Sequence, residues 1–156
     1  MRRRLTAIGI TALVAAGAVA VLASVAASKP SAAGSTVKIR STSLGKVLVD
    51  AKGRTLYLFE KDKNGKSACS GACATNWPPL LTSGTPKAGA GARASKLGTT
   101  RRSDGTKQVT YGGHPVYRFV LDHNKPGSTK GEGVNAFGAE WYVLGANGKK
   151  IEKPGS

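Results

Sequence analysis

A mainly β fold, one compact domain of two pseudo-repeats made from short antiparallel strands and hairpins behind an N-terminal signal helix, is predicted by three observations. The first is internal self-similarity. Tyr57-Leu58-Phe59-Glu60-Lys61-Asp62 and Tyr117-Arg118-Phe119-Val120-Leu121-Asp122 share the pattern Y-x-F-x-x-D at an offset of 60 residues. Each copy is preceded by a turn and an aliphatic residue, and followed by Asp-x-Asn, a glycine-bearing loop and a tryptophan segment, Trp77-Pro78-Pro79-Leu80 or Trp141-Tyr142-Val143-Leu144. The second is a series of short β-branched or alternating runs divided by turn residues. The third is the lack of sustained helical periodicity after Ser28.

The chain begins Met1-Arg2-Arg3-Arg4 and then carries no charge from Leu5 to Ser28. A basic n-region before an apolar run reads as an export signal over 1–28. Small residues at Val25-Ala26-Ala27-Ser28 favour cleavage after Ala26 or Ala27, with Ser31-Ala32-Ala33 as a later option. A retained anchor is the rival, because the 24 uncharged residues exceed the ~20 that span a bilayer. Richness in Ala and Gly favours cleavage. No cysteine lies near the cleavage region to take a lipid. The mature chain is then extracytoplasmic, either secreted or held at the cell envelope.

A polar lead-in over 29–43 carries a first strand at Thr36–Arg40. Further strands are expected at Lys46–Asp50, Thr55–Glu60, Gln108–Tyr111, Val116–Leu121, Glu140–Leu144 and Lys149–Glu152. Ala51-Lys52-Gly53, Ser103-Asp104-Gly105, Gly112-Gly113 and Ala146-Asn147-Gly148 separate them, and such pairs tolerate the positive φ of tight hairpins. A helical turn is expected near Ala72–Asn76, closed by Trp77-Pro78-Pro79 because proline disfavours helix in the residue before it. The domain runs over 44–152, with repeat one near 44–81, a linker of Gly, Ala, Pro and Ser near 82–95, repeat two near 96–152, and a tail at 153–156.

The ordered set of Tyr57, Phe59, Asp62, Cys69-x-x-x-Cys73, Trp77, Arg102-x-Asp104-Gly105, Tyr117, Phe119, Asp122 and Trp141 resembles the bacterial "secreted repeat of unknown function" family. Its members are described as predicted lipoproteins with a Y-x-(F/W/Y)-x-x-D motif. The resemblance covers roughly Leu44 to Glu152 and implies location rather than activity. The chain departs from the lipoprotein members in lacking a lipidation cysteine.

Cys69 and Cys73 are the only cysteines, and an even count in an exported chain favours a disulfide. A redox-active dithiol is the alternative, but it usually has two residues between its cysteines, whereas Ser70-Gly71-Ala72 makes three. Together with His114 and His123 the pair imitates a zinc set, yet neither spacing fits and an oxidising compartment removes the thiolates. Each histidine reads as a loop imidazole. Asp62 and Asp122 hold equivalent places and could meet as paired carboxylates or as a cation site, against the blander reading of Asx-turns that bond their own downstream N–H groups. The repeated Tyr and Phe share one strand face and read as core. Gly65-Lys66-Ser67 lacks the first glycine of a phosphate loop, and no nucleophile elbow occurs. No cofactor is implied, and nothing in the sequence supports an enzyme.

The formal net charge is +16, and removal of the three leader arginines takes it to +13. A field of that sign outside the cytoplasm draws anionic lipid or acidic envelope polymer rather than a specific nucleic acid. Scattered basic residues also serve solubility. Arg101, Arg102 and Arg118 are the candidate polyanion contacts. The function expected is that of a non-catalytic exported binding or structural module, with a thiol-redox or metal-handling protein as the alternative.

Overall fold

The computed structural model describes residues 33–152, and the signal sequence and the 153–156 tail lie outside the described residues. The elements are β1 (Thr36–Thr42), β2 (Gly45–Asp50), β3 (Tyr57–Phe59), α1 (Ala72–Asn76), β4 (Lys87–Ala88), a 3-10 turn at Ala94–Lys96, β5 (Leu97–Arg101), β6 (Lys107–Tyr111), β7 (His114–Pro115), a 3-10 turn at Val120–Asp122, β8 (Val134–Ala136), β9 (Ala139–Leu144) and β10 (Lys150–Ile151). They form three small sheets, ordered β2-β1-β4, β10-β9-β3 with β8 on β9, and β5-β6-β7. The fold is mainly β and largely antiparallel, as the turn residues dictate.

The two repeats are exchanged rather than merely placed side by side. The β1–β2 hairpin of the first recurs as the β5–β6 hairpin of the second. Between them, Tyr57 and Tyr117 swap backbone bonds, N–H to C=O at 2.8 Å in one direction and 3.0 Å in the other. The tryptophan segment of each repeat pairs with the tyrosine segment of the other: Leu80 N donates to Val116 O at 3.0 Å, and Leu144 N to Leu56 O at 3.2 Å. The sheet β10-β9-β3 is accordingly built from both repeats, β3 coming from the first and β9 and β10 from the second.

The side chains repeat this exchange. Phe59, Trp141, Trp77 and Phe119 stack as a four-ring column with centroids 4.0, 3.9 and 4.0 Å apart, taking rings alternately from the two repeats. Tyr57 meets Trp77 edge-on at 5.4 Å, and Tyr117 meets Trp141 edge-on at 5.1 Å. Val47, Val49, Val143, Cys69 and Cys73 pack around the column. A second core lies behind it, made by Val37, Leu48, Leu56, Leu58, Val109, Tyr111, Val116 and Leu144. Leu58 is buried there while Tyr57 and Phe59 are buried in the first, so β3 has core on both faces.

Several expectations are corrected. The strand expected at Val116–Leu121 is reduced to isolated bridges from Tyr117 to Tyr57 and Pro79 before the chain turns at Val120–Asp122. Its partner, Trp77-Pro78-Pro79-Leu80, has two prolines without an N–H, so a continuous ladder cannot form. The stretch read as a linker lies along β1: Lys87–Ala88 pair in parallel with Thr36 and Val37, and Ile39 N donates to Ala90 O at 2.8 Å. Its small residues are there for contact, since a Cβ on Gly91 would come within 2.9 Å of Ile39 Cβ. Leu97–Arg101 and Val134–Ala136 are strands the sequence reading lacked. In the former, Gly98 interrupts the β pattern, and its missing side chain makes room for Thr110 Oγ1, 2.8 Å from where a Cβ would stand.

Because the column is shared, Trp77→Ala should cost about 3–5 kcal/mol of unfolding free energy, as aromatic deletions in a close-packed core do. Proteolytic nicking at Gly89 should leave both pieces associated and melting together. Two separate calorimetric transitions, each surviving in an isolated half, would refute the shared core.

Candidate functional site

The Tyr and Asp of the two motifs meet crosswise. Tyr57 donates its phenolic proton to Asp122 Oδ2 at 2.7 Å, and Tyr117 donates to Asp62 Oδ2 at 2.8 Å. The other oxygen of each carboxylate gathers its own following loop. Asp122 Oδ1 accepts from Ser128 Oγ at 2.7 Å and from Lys130 N at 3.0 Å, and Asp62 Oδ1 accepts from Ala68 N at 2.7 Å. The Asx-turn reading is thus right in kind and short in reach: the bonded amides lie eight and six residues downstream. The tight turn falls to Asn64 and Asn124, with φ of 51° and 57°, the left-handed conformation that Asn tolerates. Each aspartate binds the opposite repeat's tyrosine.

Burial, reinforced by the Asp122 hydrogen bond, pushes the Tyr57 phenol far above its ordinary range, and burial with the charge of Asp62 does the same to Tyr117. Both phenols stay neutral donors. Burial also raises Asp62, from 3.8 to about 6, against the bonds from Ala68 and Tyr117 and the charges of Arg102 and Lys63.

Arg102 is buried, which corrects its reading as a polyanion contact. Its Nη1 donates to Gln108 Oε1 at 2.7 Å and to Ser67 Oγ at 2.9 Å, and its Nη2 donates to Cys69 O at 2.6 Å. Ser67 Oγ lies 2.7 Å from the Tyr117 hydroxyl, so one polar network joins Arg102 to the Tyr117–Asp62 bond. Arg101 is exposed and donates to Gly105 O at 2.9 Å. Arg118 is half-buried on a cleft of about 290 Å³ lined by Pro78, Phe119, Val120 and Asn124.

Cys69 and Cys73 stand at disulfide distance with Cα atoms 5.3 Å apart, both buried beside the ring column. His114 is half-buried, and burial lowers its proton affinity against the charge of Glu60. His123 is exposed with a φ of 51°. Among the described residues no three of His, Cys, Asp and Glu gather as a metal site would require. Ser67, Gln108 and Ser128 belong to the polar networks and escaped the sequence reading. The two serines had a signal, since each follows its motif aspartate by five or six residues.

In both networks the phenol is engaged by the carboxylate of the opposite repeat. The description "secreted repeat of unknown function" belongs to a protein family that matches the chain over residues 38–81 and 98–145. No curated protein and no solved structure matches it.

Asp62 holds its proton more tightly when folded than when unfolded, so its contribution to stability is complete below pH 3.8 and is lost as pH rises towards about 6. Urea unfolding across that window should show a drop in the wild type that Asp62→Asn flattens; equal pH profiles would refute the buried position. The purified exported protein should titrate no free thiol, and replacing both cysteines with Ser should cost about 2 kcal/mol, the chain-entropy value for so short a loop. Equilibration with glutathione at potentials above about −300 mV would instead mark the pair as a redox dithiol.

Proposed function

The chain belongs to the secreted repeats of unknown function, and from that premise we propose that it is a non-catalytic binding module whose basic surface engages anionic lipid or acidic polymer at the cell envelope. One observation carries the proposal. Among the described residues, folding leaves fourteen lysines and arginines exposed against only four acidic residues, Glu60, Asp104, Glu140 and Glu152. The other acids are drawn inwards: Asp50, Asp122 and Glu132 are buried and Asp62 is half-buried, whereas Arg102 is the single buried cation in that set. The surface is therefore far more one-signed than the composition requires.

A surface of this kind raises the local concentration of polyanions, and each Lys or Arg brought to an anionic bilayer contributes roughly 1 kcal/mol. Screening limits the reach of each charge to ~8 Å at physiological salt. Lys150 is partly offset, since its Nζ lies 2.6 Å from Glu152 and 3.3 Å from Glu60. Among the described residues, most of the exposed cations stand in no ion pair.

Vesicles containing anionic lipid should bind the mature protein at low salt, neutral vesicles should not, and binding should fall steeply as salt rises. Co-sedimentation at two ionic strengths reads this directly. No association at low salt would leave the basic surface as a solubility device.

A further inference from the structure

The two repeats deliver the same rings to the column and differ, among other places, at one pair of positions beside the motif phenylalanine. In repeat one, Leu58 between the motif Tyr and Phe is 3% exposed and pairs across the sheet with Tyr142. In repeat two the same places hold Arg118 and Pro78, joined by a bond from Arg118 N to Pro78 O at 2.8 Å. A guanidinium thus replaces a core leucine, and a small proline ring replaces a tyrosine. Phe59 is 2% exposed, but its counterpart Phe119 is only half-buried and lines the resulting cleft of about 290 Å³.

Arg118 is poorly satisfied there. Its Nη2 makes one long bond to Pro79 O at 3.4 Å, and its Nε is shielded from solvent without a hydrogen-bond partner. Buried polar atoms in native proteins are nearly always paired, so an orphaned donor within a residue that lines a cleft calls for an explanation. The neighbouring Arg54 does not share the need: Asp50 Oδ2 lies 2.6 Å from its Nη2, and its Nη1 donates to Asn124 Oδ1 at 3.1 Å. Burial and the charge of Arg54 disfavour the Arg118 cation and the charge of Asp50 offsets them only in part, a balance that an arriving anion would shift further towards the cation.

We propose that this cleft is a binding site for one acidic sugar residue of an envelope polymer, with Arg118 taking the anionic group and Phe119, Val120 and Pro78 facing the apolar side of the ring. The inference rests on the proposed engagement of anionic polymers and names a specific site within it. The cleft lies at the small end of ligand pockets, the size for a single ring. A free inorganic anion would leave the apolar walls unused. An acyl chain would need a longer groove and no cation. A planar guanidinium edge matches a carboxylate or phosphate bidentately, and such charge-assisted pairs are the strong ones.

The test titrates the mature protein, by calorimetry at high salt, with a short oligogalacturonate, a neutral oligosaccharide of the same length and a sugar phosphate. Arg118→Leu, which restores the repeat-one residue, Arg118→Lys and the surface control Arg101→Gln accompany it. Saturable binding of the uronate or the sugar phosphate but not the neutral sugar is expected, with the better ligand identifying carboxylate or phosphate as the source. Arg118→Leu should weaken it at least about tenfold, the loss of one charge-assisted bond. Arg118→Lys, which keeps the charge and loses the fork, should weaken it by less, and Arg101→Gln by under about twofold. Equal loss in Arg118→Leu and Arg101→Gln, or equal binding of the neutral sugar, overturns the site. Vesicle binding without any sugar binding sinks this inference and leaves the anionic-surface reading standing. Absence of both removes the two together.

Discussion

The stacking of Trp77 on Trp141, 3.9 Å apart and within 4° of parallel, is the contact on which the rest of the domain depends. Each indole comes from a different repeat and is sandwiched between the other indole and a phenylalanine of the opposite repeat, so the column exists only when both halves are present. A half of this size could not bury enough apolar surface to hold itself together. The backbone exchange between Tyr57 and Tyr117 sets the rings in register, and the rings hold the exchange closed.

A buried tyrosine beside such a column must place its hydroxyl, because an unpaired polar group in a dry core is costly. The crossed bonds to Asp122 and Asp62 solve this and create a second requirement, a partner for each carboxylate's remaining oxygen. Backbone amides at Lys130 and Ala68 meet it, and in doing so fix loops that have little regular structure of their own. One motif therefore specifies core, inter-repeat contact and loop closure. In this chain its spacing answers to packing and hydrogen-bond satisfaction.

How much of this could be read from the sequence follows from where the determining interactions lie. Turn glycines and alternating runs are local, so β1, β2, β6, β9 and the Ala72–Asn76 turn were legible, as was the twofold repetition. The crossing of Tyr57 to Asp122 was not, because residues 65 apart leave no local signal and the bland reading paired each aspartate with its own loop. Arg102 was misplaced for a related reason. A buried guanidinium looks like a surface one until Ser67, Gln108 and the Cys69 carbonyl are brought round it. The Thr82–Ser95 stretch misled in the opposite direction, since small residues that permit close approach to β1 have the composition of a flexible linker.

Exact duplication would have given both repeats the same surface, and the departures from it are confined to particular places. Repeat one carries the Cys69–Cys73 pair and α1 where repeat two carries the β8–β9 hairpin, and both insertions lead into a tryptophan of the column. Those differences leave the core geometry intact, because each repeat still delivers one indole, one phenylalanine and one tyrosine. The Leu58 to Arg118 difference is of another kind: it removes an apolar side chain from a position that the first repeat shows to be well suited to one. Retaining a half-buried arginine there forgoes burial of a leucine, roughly 1.5–3 kcal/mol of hydrophobic stabilisation for a fully buried side chain. A position that gives up stability its own counterpart enjoys is the ground on which an anion site at Arg118 is proposed, in a domain whose acids turn inwards and whose cations turn outwards.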